Sequence, residues 1–328
     1  MALLLTVLSS ASSTAWTRLT RGTPACPSWS YKQEIMVGIL RDVNSTFTVE
    51  QSRHNSPKNP PVAGTKAVPV TGSPLPAVWI QADNHPETSG GNVILFVHGG
   101  AFVQGTIQSY SYLASKIALS TGARVLLFEY RLAPEHQFPA PLEDTIAMYK
   151  WLLQPEQGCT PSHVAFMGDS SGGNVVLGAA LQLARATETI PGFLGLLSPT
   201  VDLTNSIPVE DKGTDYIVAQ RKGYNARLLY AGSEEAFSNT LMSPLLADDL
   251  HLLAPCPMLI ECGGAELHQP RVAAFAAKAK AAGCSVELNE YPDMPHVFQS
   301  LAAFFPEQAA KSLEAIGAYS KTHFPSSN

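Results

Sequence analysis

A serine set among small residues, Gly168-Asp169-Ser170-Ser171-Gly172-Gly173-Asn174, stands between the apolar run His163-Val164-Ala165-Phe166-Met167 and a helical pattern that begins at Val175. A hydroxyl on a sharp strand-to-helix turn projects into a cleft. Its neighbours must be small because the two backbones approach closely there, and Ser170 is therefore the candidate nucleophile for acyl transfer. Taken alone, the same letters also spell an ordinary glycine-rich turn. A second segment, His98-Gly99-Gly100-Ala101-Phe102, follows the unbroken apolar run Val93–Val97, which has the length of one buried parallel strand. Small residues after such a strand let backbone N–H groups point at a carbonyl oxygen as it becomes negative, and one such donor is worth roughly 10²–10³ in rate. The candidate oxyanion donors are Gly99, Gly100 and Ala101 from this loop and Ser171 from the elbow, with Gly100, Ala101 and Ser171 the three expected to reach the oxygen.

These two segments, with Tyr130-Arg131-Leu132-Ala133-Pro134-Glu135-His136-Gln137-Phe138-Pro139-Ala140 between them, resemble the hormone-sensitive-lipase-like branch of the α/β-hydrolases. The resemblance continues through Met242-Ser243-Pro244-Leu245 and Gly263-Gly264-Ala265-Glu266 to Asp293-Met294-Pro295-His296, roughly residues 60 to 325. In wording it is similar to esterases of filamentous fungi, several of which remove acetyl groups from secondary metabolites.

The resemblance implies an acid and then a histidine after the serine. His296 falls on a loop beyond a late strand marked by alternating Val286 and Leu288, where an imidazole can reach a serine. The acid of the family follows a strand that here reads Pro257-Met258-Leu259-Ile260-Glu261-Cys262, which puts Glu266 at the matching position. Many relatives carry aspartate there and a further acid shortly after, whereas this chain continues Leu267-His268-Gln269-Pro270. Either carboxylate can accept the ring N–H and stabilise an imidazolium. Asp293 and Asp202 are the competitors, the first in a Pro-bounded loop three residues from His296, the second readable as a turn or helix cap. The expectation is a serine carboxylesterase acting on short-chain esters of small hydrophobic molecules, acetyl esters among them, through an acyl-enzyme. The rival readings are a ligand-binding protein that kept the fold without the chemistry, and a lactone or amide hydrolase using the same triad. No cofactor is expected, since the reaction needs none and the sequence offers no histidine–acid or cysteine cluster with metal-ligand spacing.

A chain of 328 residues, 45% hydrophobic and 15% charged, can bury one large core. Its net charge of −6 gives no basic footprint for nucleic acid. The five cysteines are odd in number and irregular in spacing, which argues for reduced thiols and a cytoplasmic protein. Against that, Ala2-Leu3-Leu4-Leu5-Thr6-Val7-Leu8 resembles the apolar part of a signal peptide, although no Lys or Arg precedes Arg18 and the run is too short to span a bilayer. Were the chain secreted, Asn44-Ser45-Thr46 would be a glycosylation acceptor.

Strand-like runs recur at Ala77–Ile80, Val93–Val97, Val125–Phe128, Val164–Met167, Phe193–Leu197, Met258–Cys262 and Val286–Leu288, with helical patterns between them such as Tyr110, Leu113, Ala114, Ile117 and Ala118. This alternation predicts an α/β-hydrolase fold with a mostly parallel sheet, helices on both faces and a small helical cap. Residues 1–70 form an N-terminal segment with one helix near Tyr31 to Asp42, and residues 71–328 form the catalytic domain. By resemblance the cap comes from the N-terminal segment and from about 204–250, where Tyr216, Tyr224, Tyr230 and Phe237 stand in a polar background. Tyr130, Arg131 and Asp144 read as a hydrogen-bonded loop that braces the oxyanion turn.

Overall fold

Each of the seven apolar runs lies in a strand of one eight-stranded sheet in the computed structural model, which describes residues 2–85, 91–218 and 222–325. The strands are β1 (Thr65–Pro69), β2 (Ala77–Ala82), β3 (Val93–Val97), β4 (Arg124–Phe128), β5 (Val164–Asp169), β6 (Phe193–Leu197), β7 (Met258–Gly263) and β8 (Val286–Tyr291). Their order is β1-β2-β4-β3-β5-β6-β7-β8, antiparallel where β2 meets β1 and β4 and parallel elsewhere. Sequence reading missed β1. It is an exposed edge strand ending in Pro69, with no buried apolar run to reveal it.

The central strands are apolar without alternation because both faces are covered. On β3, Val93, Leu95 and Val97 pack on one side among residues of α5 (Ala140–Leu152), α6 (Ser170–Arg185) and α8 (Gln269–Ala281). Ile94 and Phe96 pack on the other among residues of α4 (Ile107–Thr121) and α9 (Pro306–His323). Helix α4 starts at a capping box of Thr106 and Ser109 and stops at Gly122, whose left-handed φ of 71° ends the turn.

Strand β3 leads leftward to β4 and β5 leads rightward to β6, so the direction of winding reverses between two adjacent strands. A crevice forms outside the carboxyl ends of the strands at such a reversal. The register Val97↔Gly168 puts the loop after β3 and the turn after β5 side by side at that crevice, although they are far apart in sequence.

The N-terminal segment is more helical than the sequence suggests: α1 (Ala2–Arg21) packs on α2 (Tyr31–Thr46), followed by α3 (Val49–His54). Among its described residues, the segment 204–250 has little regular structure beyond α7 (Ala226–Ala231) and short 3₁₀ turns. The two segments meet where the amide of Gly223 donates to Ser45 O and Arg41 reaches Asp211, Asp215 and Ile217. No helix among the described residues is long and apolar enough to cross a membrane.

Candidate active site

Strand β5 ends and α6 begins with no residue between, and Ser170 takes the turn at φ 52°, a left-handed conformation rare for a residue with a side chain. The helix starts five residues before the apolar periodicity, at Ser170 rather than Val175, so the glycines are its first turn. Gly172 cannot be replaced without displacement, since a Cβ there would lie 2.0 Å from Val97 O and 2.7 Å from the carbonyl of His98. That contact is where the two loops interlock.

His296 Nε2 is 2.8 Å from Ser170 Oγ. On the other side of the ring, His296 Nδ1 is 3.3 Å from Glu266 Oε2, longer than a charge-assisted hydrogen bond, and both side chains are buried. Free enzymes often hold such pairs loosely and tighten them on substrate. Burial alone would depress the pKa of His296, but the carboxylates of Glu266, Asp215 and Asp169 outweigh it and hold the imidazole above its ordinary value. The other two acids stand elsewhere. Asp202 accepts the N–H and hydroxyl groups of Thr204 and Ser206, closing the turn that its sequence suggested. Asp293 accepts the amide of Ser28 and through its main chain the indole N–H of Trp29.

The loop after β3 departs from its expected role at one position. The N–H of Gly99 donates to Asp169 Oδ1 at 2.8 Å in a buried bond, so Gly99 has no donor left for an oxyanion. The amides of Gly100 and Ala101 have no acceptor among the described residues, and that of Ser171 lies in the first turn of α6, where amides lack an intrahelical partner. Gly100 at φ 125° and Ala101 at φ 56° give the loop its left-handed turn, and a Cβ on Gly100 would strike Gln104 O. The loop is held from below by His98. Its Nδ1 donates to Gly99 O, which fixes the tautomer, and burial lowers its pKa to about 4, keeping it neutral. Tyr130 donates to His98 O at 2.7 Å, while the amide of Arg131 donates to Asp144, which is the brace the sequence suggested.

Several further residues support the site, and Arg53, Asp215 and Ser198 among them carry no sequence signal. Arg53 of α3 donates to Val103 O and Ala133 O, tying the N-terminal segment to the loop after β3. Tyr110 donates to Asp169, whose carboxyl is raised by burial to about 6. Asp215, from the segment before α7, accepts the amides of Leu267 at 2.8 Å and His296 at 3.1 Å. Ser198 Oγ accepts the amide of Val297, a β-branched residue at φ 43°. Tyr230 of α7 stacks on Phe102 with ring centroids 3.8 Å apart. A cleft of about 220 Å³ opens beside the acid, walled by Pro208–Lys212, Thr214 and Asp215 and by Gly264–Leu267 with Gln269 and Pro270.

Residues 94–300 match the family described as the alpha/beta hydrolase fold. The chain belongs to this α/β-hydrolase family. An acetyl-hydrolase of Streptomyces hygroscopicus is 32% identical over 257 residues, which are 77% of this chain and 82% of that protein. The carboxylesterase NlhH of Mycobacterium tuberculosis is 32% identical over 252 residues, 73% of this chain and 75% of its own. A solved esterase from the bacterial hormone-sensitive lipase family superposes with a TM-score of 0.79 at 31% identity, covering 91% of this chain and all of that one, 100%. This α/β-hydrolase is thus of the hormone-sensitive-lipase-like branch and is a carboxylic ester hydrolase.

Proposed function

We propose that this esterase cleaves short-chain esters of small hydrophobic molecules through an acyl-enzyme on Ser170. The observation that carries the reading is the 2.8 Å contact of His296 Nε2 with the hydroxyl of a serine held at φ 52°, with a buried carboxylate on the far side of the imidazole. His296 takes the Ser170 proton as Oγ attacks the ester carbonyl. The oxyanion is met by the amides of Gly100, Ala101 and Ser171, and the imidazolium by Glu266. Collapse of the tetrahedral intermediate breaks the bond to the alcohol, which leaves with the proton from His296. Water, deprotonated by the same imidazole, then attacks the acyl-enzyme, and its breakdown returns the proton to Ser170 and frees the acid.

Short acyl groups are supported by the relatives, which include the acetyl-hydrolase and an ethyl acetate hydrolase of Pseudomonas putida 29% identical over 241 residues. The cap drawn from residues 1–70 and about 204–250 selects the acyl and alcohol groups. Arg53 and Tyr230 support that role, since each segment sends a side chain onto the loop that carries the oxyanion amides.

Hydrolysis of p-nitrophenyl esters from acetate to palmitate tests the proposal, with Ser170→Ala alongside. Activity that peaks at short chains and vanishes in the variant is the expected result. Equal activity in the variant removes Ser170 from the mechanism, and a peak at long chains removes the short-chain assignment.

A further inference from the structure

The stretch 211–217, between the turn at Asp202 and α7, is held from two sides. Arg41 of α2 donates to the main-chain oxygens of Asp215 and Ile217 and pairs with Asp211, and Asn44 of α2 donates to Tyr216 O. On the inner side Thr214 donates to Ala265 O, the Tyr216 ring stands edge-on to His296 with centroids 5.9 Å apart, and the Asp215 side chain is 2% exposed. The segment is therefore strapped between α2 and the two loops that follow β7 and β8.

Asp215 uses its two oxygens on two different loops: Oδ2 accepts the amide of Leu267, next to Glu266, and Oδ1 accepts the amide of His296 itself. The backbone also joins these loops, but at Ala265 and Met294, one and two residues short of the reacting side chains. The pair to be aligned, Glu266 Oε2 and His296 Nδ1, is 3.3 Å apart, longer than a charge-assisted hydrogen bond of about 2.7–2.9 Å, so a small loop displacement changes its strength.

We propose that Asp215 is a positioning residue of the triad: its carboxylate ties the loop carrying Glu266 to the loop carrying His296 and thereby sets the approach of imidazole to acid. This rests on reading Ser170, His296 and Glu266 as the reacting triad. A carboxylate suits the task better than an amide, because both oxygens face donors and an amide would set its NH₂ against one of the two N–H groups. Its charge also faces the imidazole, together with those of Glu266 and Asp169, with His268 as the neighbouring imidazole at 5.5 Å and Tyr216 beside it.

The test compares the full-length wild type with Asp215→Asn and Ser170→Ala. It measures kcat and KM for p-nitrophenyl acetate across pH, and follows His296 by ¹³C-edited NMR, its signal identified by loss in His296→Asn. The expected result for Asp215→Asn is a fall in kcat of about 10²-fold, as for a misplacement of order 1 Å, with KM little changed. The acid limb of kcat and the His296 titration should both move to lower pH, because one carboxylate favouring the imidazolium is gone. A kcat within twofold of wild type with an unmoved titration overturns the proposal, as does a change in KM or thermal stability alone. If Ser170→Ala is as active as wild type, the triad reading fails, and the His296 titration still decides whether Asp215 governs the imidazole. Should Asp215→Asn not fold, Arg41→Ala loosens the same segment from outside. It should give the same changes in smaller measure, and their absence counts against the proposal.

Discussion

A serine hydroxyl does not ionise near neutral pH, so Ser170 depends on a base that is neutral when it attacks and is steadied once it has taken the proton. His296 meets the first demand only above its pKa, which three carboxylates hold higher than for a free imidazole. Activity should therefore rise with pH through a limb above the ordinary histidine value and be lost as pH falls through it. Glu266→Gln removes the nearest of those charges and the orienting acceptor. A drop in kcat/KM toward 10⁴-fold is expected, by analogy with the neutralised acid of other serine triads, together with a shift of the acid limb to lower pH. A pH–rate profile of the variant measures both, and near wild-type turnover would return the acid role to another carboxylate. Asp293, which holds Ser28 and Trp29 instead of His296, is the control that should stay active as Asp293→Asn.

At the scale of elements, the site is made by loops that strands deliver to one edge and that helices from elsewhere in the chain then pin. The pair β3 and β5 brings the oxyanion loop to the elbow, and β7 and β8 bring the acid to the histidine. Helix α3 pins the first of these loops through Arg53, which forks onto Val103 O and Ala133 O while pairing with the exposed Glu135. Arg53→Ala should cost about 1–3 kcal/mol from the lost charge-assisted bonds to carbonyls. The exposed ion pair adds little to that figure. Because Val103 follows the turn that aims the Gly100 and Ala101 amides, the same variant should lower kcat more than it raises KM. Chemical denaturation and steady-state kinetics on one preparation test both; a stability loss with unchanged kcat would confine Arg53 to the fold.

For the whole molecule, two apolar layers on either side of a single sheet, with a smaller cluster around Trp29 and Phe305, supply the core, and no disulfide adds to it. All five cysteines are buried and none is in a disulfide, in keeping with their odd number and irregular spacing. Burial raises the thiol pKa values of Cys159 and Cys284, and pushes Cys256 and Cys262 still higher, which suppresses the reactive thiolate. A reducing agent should accordingly leave the thermal unfolding midpoint unchanged, and a thiol reagent should label the native protein far more slowly than the denatured one. Fast native labelling at any of the five would show an opening of the core that this packing does not contain.

Sequence alone determined the parts of the protein that local pattern encodes. Unbroken apolar runs between helical patterns read as strands covered on both faces, a small-residue turn between strand and helix reads as a tight elbow, and the candidates Gly100, Ala101, Ser170 and Ser171 lie in segments of that kind, while His296 was legible as a loop residue beyond a late strand. Glu266 was legible by likeness to a family and not by any pattern of its own. The tertiary structure decided what depends on which distant segments meet. It committed the Gly99 amide to Asp169, placed Asp293 away from the imidazole, and brought Arg53, Asp215 and Ser198 onto loops with which they share no sequence proximity. A lone arginine, aspartate or serine in an irregular stretch has no periodicity to betray it. Its partner is a backbone amide or carbonyl, which every residue carries, so only the assembled fold can say which one it finds.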